Sequence, residues 1–162
     1  MKAPVLHFVP RIELEAAANI DAFVTLCRTA FVLDANAQFE KNTCEIGYQK
    51  GKNSKHRAIF STLETCGRGG SNEIFPTPFL DFAKSMLIYL HDRRPVKSLS
   101  QRLGALRCLE FALRQLNKGS RPTAVNSEVL EVAVAVGNEK VWAPVAYRWA
   151  GQLEEIAKTM HA

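Results

Sequence analysis

This sequence predicts a mainly α-helical fold: a four-helix bundle over residues 76–162, preceded by a small α+β segment over residues 1–75. Three observations carry that expectation. In the second half, apolar residues recur at helical spacing, each run bounded by caps and breakers. In the first half, short β-type runs flank a polar turn. Between the halves stands the breaker cluster Gly67-Arg68-Gly69-Gly70-Ser71-Asn72, with Pro76 and Pro78 soon after. At 162 residues and 47% hydrophobic, the chain is long and apolar enough to bury a real core.

The elements follow in order. Val5–Val9 has the composition of a short strand. Asn19 to Ala30 reads as a helix capped by Asn19, with Ile20, Phe23, Val24 and Cys27 on one face. Phe39–Gly47 and Arg57–Leu63 read as strands joined by the basic turn Tyr48–His56. After the break, Thr77 is placed to cap a helix with Pro78 at its first position. Phe79, Phe82, Ala83, Met86, Leu87 and Leu90 form its apolar face, and Pro95 stops it. Ser98 and Gln101 have the spacing of a capping box and open a second helix. Its stripe is Leu99, Leu103, Leu106, Leu109, Leu113 and Leu116, and Asn117-Lys118-Gly119 ends it. Asn126 caps Ser127–Val136, whose Val-Ala alternation fits either a helix or a strand, and Gly137-Asn138 is expected to end it. A last helix runs from about Pro144 to Met160, with Trp142, Val145, Trp149, Leu153, Ile156 and Met160 on one side.

Charge is concentrated. Arg93 to Arg121 contains eight basic residues (Arg93, Arg94, Lys97, Arg102, Arg107, Arg114, Lys118, Arg121) against one acid, Glu110, on a chain of net charge +5. Such an excess on one stretch suits a polyanionic partner. At 100° per residue, Ser100, Arg107, Arg114 and Lys118 fall within about 40° of one another, away from the leucine stripe. Tyr147 and Arg148 lie outside the apolar face of the last helix, close to its N-terminus. Arginine grips phosphate oxygens bidentately and reads guanine edges, so both faces suit DNA.

Three segments of the second half resemble the core-binding domain of phage-type integrases, the tyrosine recombinases. They are Thr77-Pro-Phe-Leu-Asp-Phe-Ala-Lys84, Lys97-Ser-Leu-Ser-Gln-Arg-Leu-Gly-Ala-Leu-Arg107 and Val145-Ala-Tyr-Arg-Trp-Ala-Gly-Gln-Leu153. The resemblance covers about residues 76–162 and rests on pattern and helix order. It implies a SAM-like four-helix bundle that forms one half of a clamp around a recombination (attachment) site, with its second and fourth helices against double-stranded DNA. It also implies contact with other recombinase protomers on that DNA. On this reading Arg107, Arg114 and Lys118 hold phosphates, joined by Arg93, Arg94, Lys97 and Ser100. Arg102, Tyr147 and Arg148 are candidates for base or near-base contact, although the angle of Arg102 falls within the leucine stripe. The family's catalytic domain, with its two arginines, lysine, histidines and nucleophilic tyrosine, would follow this segment. The expectation is therefore a non-catalytic chain, either the N-terminal part of a longer recombinase, which is favoured, or a truncated relative, with no catalytic residue in it. His91-Asp-Arg-Arg94 matches the family's His-x-x-Arg spacing but lies at the end of the first bundle helix, and Tyr147 is not in a nucleophile's place.

Other chemistries find little support. His7, His56, His91 and His161 lack ligand spacing, and Cys27, Cys44, Cys66 and Cys108 form no C-x-x-C pair, so neither a metal site nor a disulfide framework is expected. Gly67-Arg-Gly-Gly70 and Gly51-Lys52 are not phosphate-loop fingerprints, and Ser61 and Ser71 lack a nucleophile elbow. Glu154-Glu155 fits a solvated helix surface, not a catalytic dyad. No cofactor, small-molecule substrate, membrane span or secretory signal is expected, and reduced thiols fit a cytoplasmic protein. Two alternatives stay open: a SAM-like protein–protein interaction module, and a small helix-turn-helix transcriptional regulator. Lys50, Lys52, Lys55 and Arg57 either touch DNA separately, as an arm-binding segment does, or form a solvated hairpin tip.

Overall fold

Helix-forming residues dominate the chain, and the computed structural model is mainly helical. It describes residues 11–30, 43–47, 55–65, 73–93, 100–141 and 143–160. The first helix, α1, spans Arg11–Ala30. It is longer than Asn19 as a cap implies, because the upstream Leu14, Ala16, Ala17 and Ala18 are strong helix formers and carry the helix through Asn19. Ile20 and Phe23 pack against the core and Cys27 is buried, the i, i+3, i+7 face of an amphipathic helix. Strands β1 (Thr43–Gly47) and β2 (Lys55–Ile59) pair antiparallel, with Thr43 opposite Ile59 and Gly47 opposite Lys55. Residues 60–63, expected to continue the second strand, leave that ladder. Phe60 is buried, and Ser61 bridges to Ile74 instead, with Phe75 N donating to Phe60 O (2.9 Å) and Thr62 N to Glu73 O (2.8 Å). The expected Val5–Val9 strand, the basic turn's Tyr48–Lys50 and Lys52, and the breaker cluster lie outside the described residues.

Four helices follow. The first of them, α2, spans Phe79–Arg93. It begins one residue later than Pro78, and the Pro76 and Pro78 carbonyls accept its first bonds, from Leu80 N (3.0 Å) and Phe82 N (3.3 Å). Phe79, Phe82, Ala83, Met86, Leu87 and Leu90 are all buried, as their spacing predicts. Phe75, Phe79 and Phe82 form a chain of rings with centroids 5.1 and 5.6 Å apart.

Helix α3 (Ser100–Gln115) is the centre of the molecule. Its leucines at 103, 106, 109 and 113 are buried, and so are Gly104, Ala105, Cys108 and Ala112 on its small-residue side. Those small side chains let two further helices approach closely. The end of α3 is a Schellman motif: Lys118 N donates to Leu113 O (2.8 Å) and Asn117 N to Arg114 O (3.0 Å). Asn117, at φ 55°, takes the left-handed position that the sequence suggests for Gly119.

A short 3-10 turn at Pro122–Ala124 leads to Asn126, whose Oδ1 accepts from Val129 N (3.0 Å) and caps α4, Ser127–Lys140. The Val-Ala stretch is thus a helix, with Val129, Ala133 and Val136 buried at helical spacing. It runs through Gly137, which the sequence reading makes a breaker. There the Trp149 ring lies 3.6 Å from where a Cβ would stand. Helix α5 (Ala143–Met160) buries Ala146, Leu153 and Ile156 and packs Trp149 and Met160 against the core. Helices α3, α4 and α5 pack on one another, and α1 packs on α2. Phe60, Leu63 and Phe75 share this core, so described residues on both sides of position 76 build one apolar interior.

Candidate nucleic-acid interface

The sequence places a basic face on the second helix after the break, and in the structure the two arginines of that face are paired within the chain. Arg107 Nε donates to Ser61 O (3.1 Å) and its Nη2 to Ile59 O (2.9 Å), so its fork fastens residues 59–61 onto α3. Arg114 Nε donates to Glu110 Oε2, and Arg114 Nη2 to both oxygens of Glu64 at 2.7 and 2.9 Å. Burial pushes the Glu110 carboxyl above the usual range, although the Arg114 hydrogen bond and charge pull the other way. For Arg114, burial acts to lower its basicity, but the hydrogen bonds to Glu110 and Glu64 together outweigh it and raise it. These two arginines are engaged by the chain itself.

Arg102 is corrected outright as a base contact. It is 1% exposed, because its angle places it inside the leucine stripe, and no duplex reaches it in this fold. Lys118 is half-buried just beyond α3, and Ser100 is exposed at its first residue. Arg94 and Lys97 lie in the link between α2 and α3, outside the described residues. Arg93 is exposed at the end of α2 and donates to the Tyr89 hydroxyl (2.7 Å).

The last helix presents what α3 does not. Tyr147 is 82% exposed and Arg148 is exposed beside it, both on the side of α5 turned away from the core. No carboxylate stands at ion-pair distance from Arg148 or Lys140 among the described residues.

Helix direction gathers these groups. A Cβ on Gly104 would stand 2.2 Å from Trp149 Cε2, and Gly137 faces the same ring, so residues 104, 137 and 149 lie at one level. Beyond that level, at one end of the bundle, come the start of α3 (Ser100), the end of α4 (Lys140) and the start of α5 (Tyr147, Arg148). At the opposite end Ser120 Oγ donates to Thr77 O (2.7 Å), so α2 starts by the end of α3 and Arg93 stands at the far end of α2. Arg114 lies ten residues past Gly104, about 15 Å away along the helix.

That end of the packed helices combines cations with the N-termini of α3 and α5, and helix N-termini favour anions. Arg93 and Lys140 sit at helix C-termini, where a cation offsets the negative end of the dipole. The sequence reading missed Lys140, because only the packing of α4 against α5 brings it to this end. It also missed Glu64, separated from its partner Arg114 by fifty positions in the chain.

Among the described residues no group of histidines, cysteines or carboxylates has a metal-binding arrangement. No helix is long and apolar enough to cross a membrane. In comparisons with known proteins, the chain matches no family model, no curated protein and no solved structure.

Proposed function

We propose that this chain is a non-catalytic DNA-binding part of a phage-integrase-like tyrosine recombinase, with a SAM-like core-binding bundle that helps clamp an attachment site. The surface that meets double-stranded DNA is the bundle end built from Arg93, Ser100, Lys140, Tyr147 and Arg148, not the outer face of α3. The observation that carries this reading is the Tyr147–Arg148 pair: a highly exposed aromatic ring beside a guanidinium with no acidic partner among the described residues. Order and spacing of the four helices after residue 76, and the net charge of +5, support it further.

Titration of random-sequence duplex DNA at several salt concentrations tests the reading. Log affinity should fall linearly with log salt, and Arg148→Ala should flatten the slope by about one unit if it meets phosphate. If Arg148 meets a base edge, the variant should instead change preference between sequences. No binding at low salt would end the DNA reading and make the basic end a surface for an acidic protein. Incubation with nicked attachment-site DNA should leave no covalent adduct.

A further inference from the structure

At the other end of α3, Arg114 sits in a frame unlike that of Arg148. Its Nε edge is held by Glu110, which is 1% exposed and fixed within the core. Its guanidinium carbon lies 5.5 Å from the centre of the Phe111 ring. The remaining Nη2 edge meets Glu64, and here both partners reach solvent, with side chains 40% and 35% exposed. Glu64 belongs to a short turn secured by Thr65 N donating to Thr62 O (3.2 Å) and by the Thr62 and Thr65 hydroxyls 2.7 Å apart. Its carboxylate therefore swings off by side-chain rotation alone, while the buried Phe60 and Leu63 stay in place. Lys118 follows four residues after Arg114, with no carboxylate at ion-pair distance among the described residues.

We propose that Arg114 is a phosphoryl-binding site gated by Glu64, whose two carboxylate oxygens hold the place that phosphate oxygens would take. An arginine edge already oriented by a buried acid and a ring is a preorganised donor to a planar or tetrahedral oxyanion. Exposed ion pairs are weak, so a phosphoryl group competes with Glu64 for that edge. Glu73 opposes it, since its charge and that of Glu64 both act on Glu110. With Glu64 seated, the site is closed to anions. The site is separate from the Tyr147–Arg148 end and rests on the DNA reading only for the source of the phosphoryl group.

Glu64→Gln is the informative variant, with Glu131→Gln on the exposed side of α4 as the charge-matched control. Two measurements are made on the full chain: duplex DNA affinity against salt, and the Arg114 Nε–Hε NMR signal during titration with inorganic phosphate. The proposal expects Glu64→Gln to steepen the salt slope by about one unit more than the control. It also expects a saturable phosphate-dependent shift of the Arg114 signal that the control lacks. A phosphate response without duplex binding by any variant supports the gated site with free phosphate as its source, and overturns the DNA reading instead. Equal behaviour of Glu64→Gln and Glu131→Gln in both measurements overturns the gate. Loss of wild-type DNA binding in Arg148→Ala would then leave the DNA reading standing.

Discussion

A single missing Cβ sets the distance between two helices. At Gly104 an added methyl would stand 2.2 Å from Cε2 and 2.4 Å from Nε1 of Trp149, so the bulky ring would have to shift. Gly104→Ala should therefore force α5 off α3 and cost roughly 1–3 kcal/mol or more, read from urea unfolding. Arg107→Met would leave the Ile59 and Ser61 carbonyls without their guanidinium donors and should cost about 2 kcal/mol. Arg107→Lys should recover less than half of that, because an ammonium cannot reproduce the planar fork. Glu110 makes a pH-dependent contribution. Its folded carboxyl binds a proton more tightly than the ordinary value of 4.5, because burial outweighs the attraction of Arg114. The folded state thus gains from that proton below 4.5 and loses the gain as pH rises through the folded value. Relative to Glu110→Gln, wild-type stability should decline as pH is raised from about 4 towards 7; a flat difference would show that Arg114 fully compensates for burial.

Among the elements, the caps give the sharpest tests. Asn126→Ala removes the side-chain oxygen that accepts from Val129 N and should cost about 1 kcal/mol. Asn117→Gly should be neutral or slightly stabilising, since φ 55° suits glycine, whereas Asn117→Val should destabilise by about 1 kcal/mol or more. The Asn126 cap was legible in the sequence, as were the buried faces of α2 and α5, because local spacing alone fixes them; the left-handed residue ending α3 was not, since the sequence favours Gly119 and Asn117 takes the place. Asn19 misled, since a capping residue stops nothing when good helix formers precede it. The Val-Ala run was ambiguous because both its faces are apolar; only its partners, α3 and α5, select the helical face at Val129, Ala133 and Val136. The exposure of Tyr147 and Arg148 was legible because it depends on one helix alone. The pairing of Arg107 and Arg114 within the chain was not legible, because their partners, Ile59, Ser61 and Glu64, come from a segment some fifty residues earlier. Helical angle says which side chains share a face, not what covers it.

For the whole molecule, the shared core makes a prediction about fragments. A chain beginning at residue 76 lacks Phe60, Leu63 and Phe75 and exposes the surfaces of Phe79 and α3 that they cover. It should lose cooperative unfolding and dispersed NMR signals, while a chain beginning upstream of α1 keeps both; a well-folded 76–162 fragment would refute a common interior. The central place of α3 also sets an order of opening. Its middle, from Leu103 to Leu113, is mostly buried and should open only with the whole protein, so hydrogen exchange there should report the full stability. Helix α1 is held along one face, with Leu26 51% exposed on another, and its amides should exchange at a lower free energy. A partner that grips α5 meets a surface already presented at equilibrium. One that needs Arg107, fastened under residues 59–61, waits on a rare excursion, and its association rate would be set by the protein's own breathing rather than by diffusion.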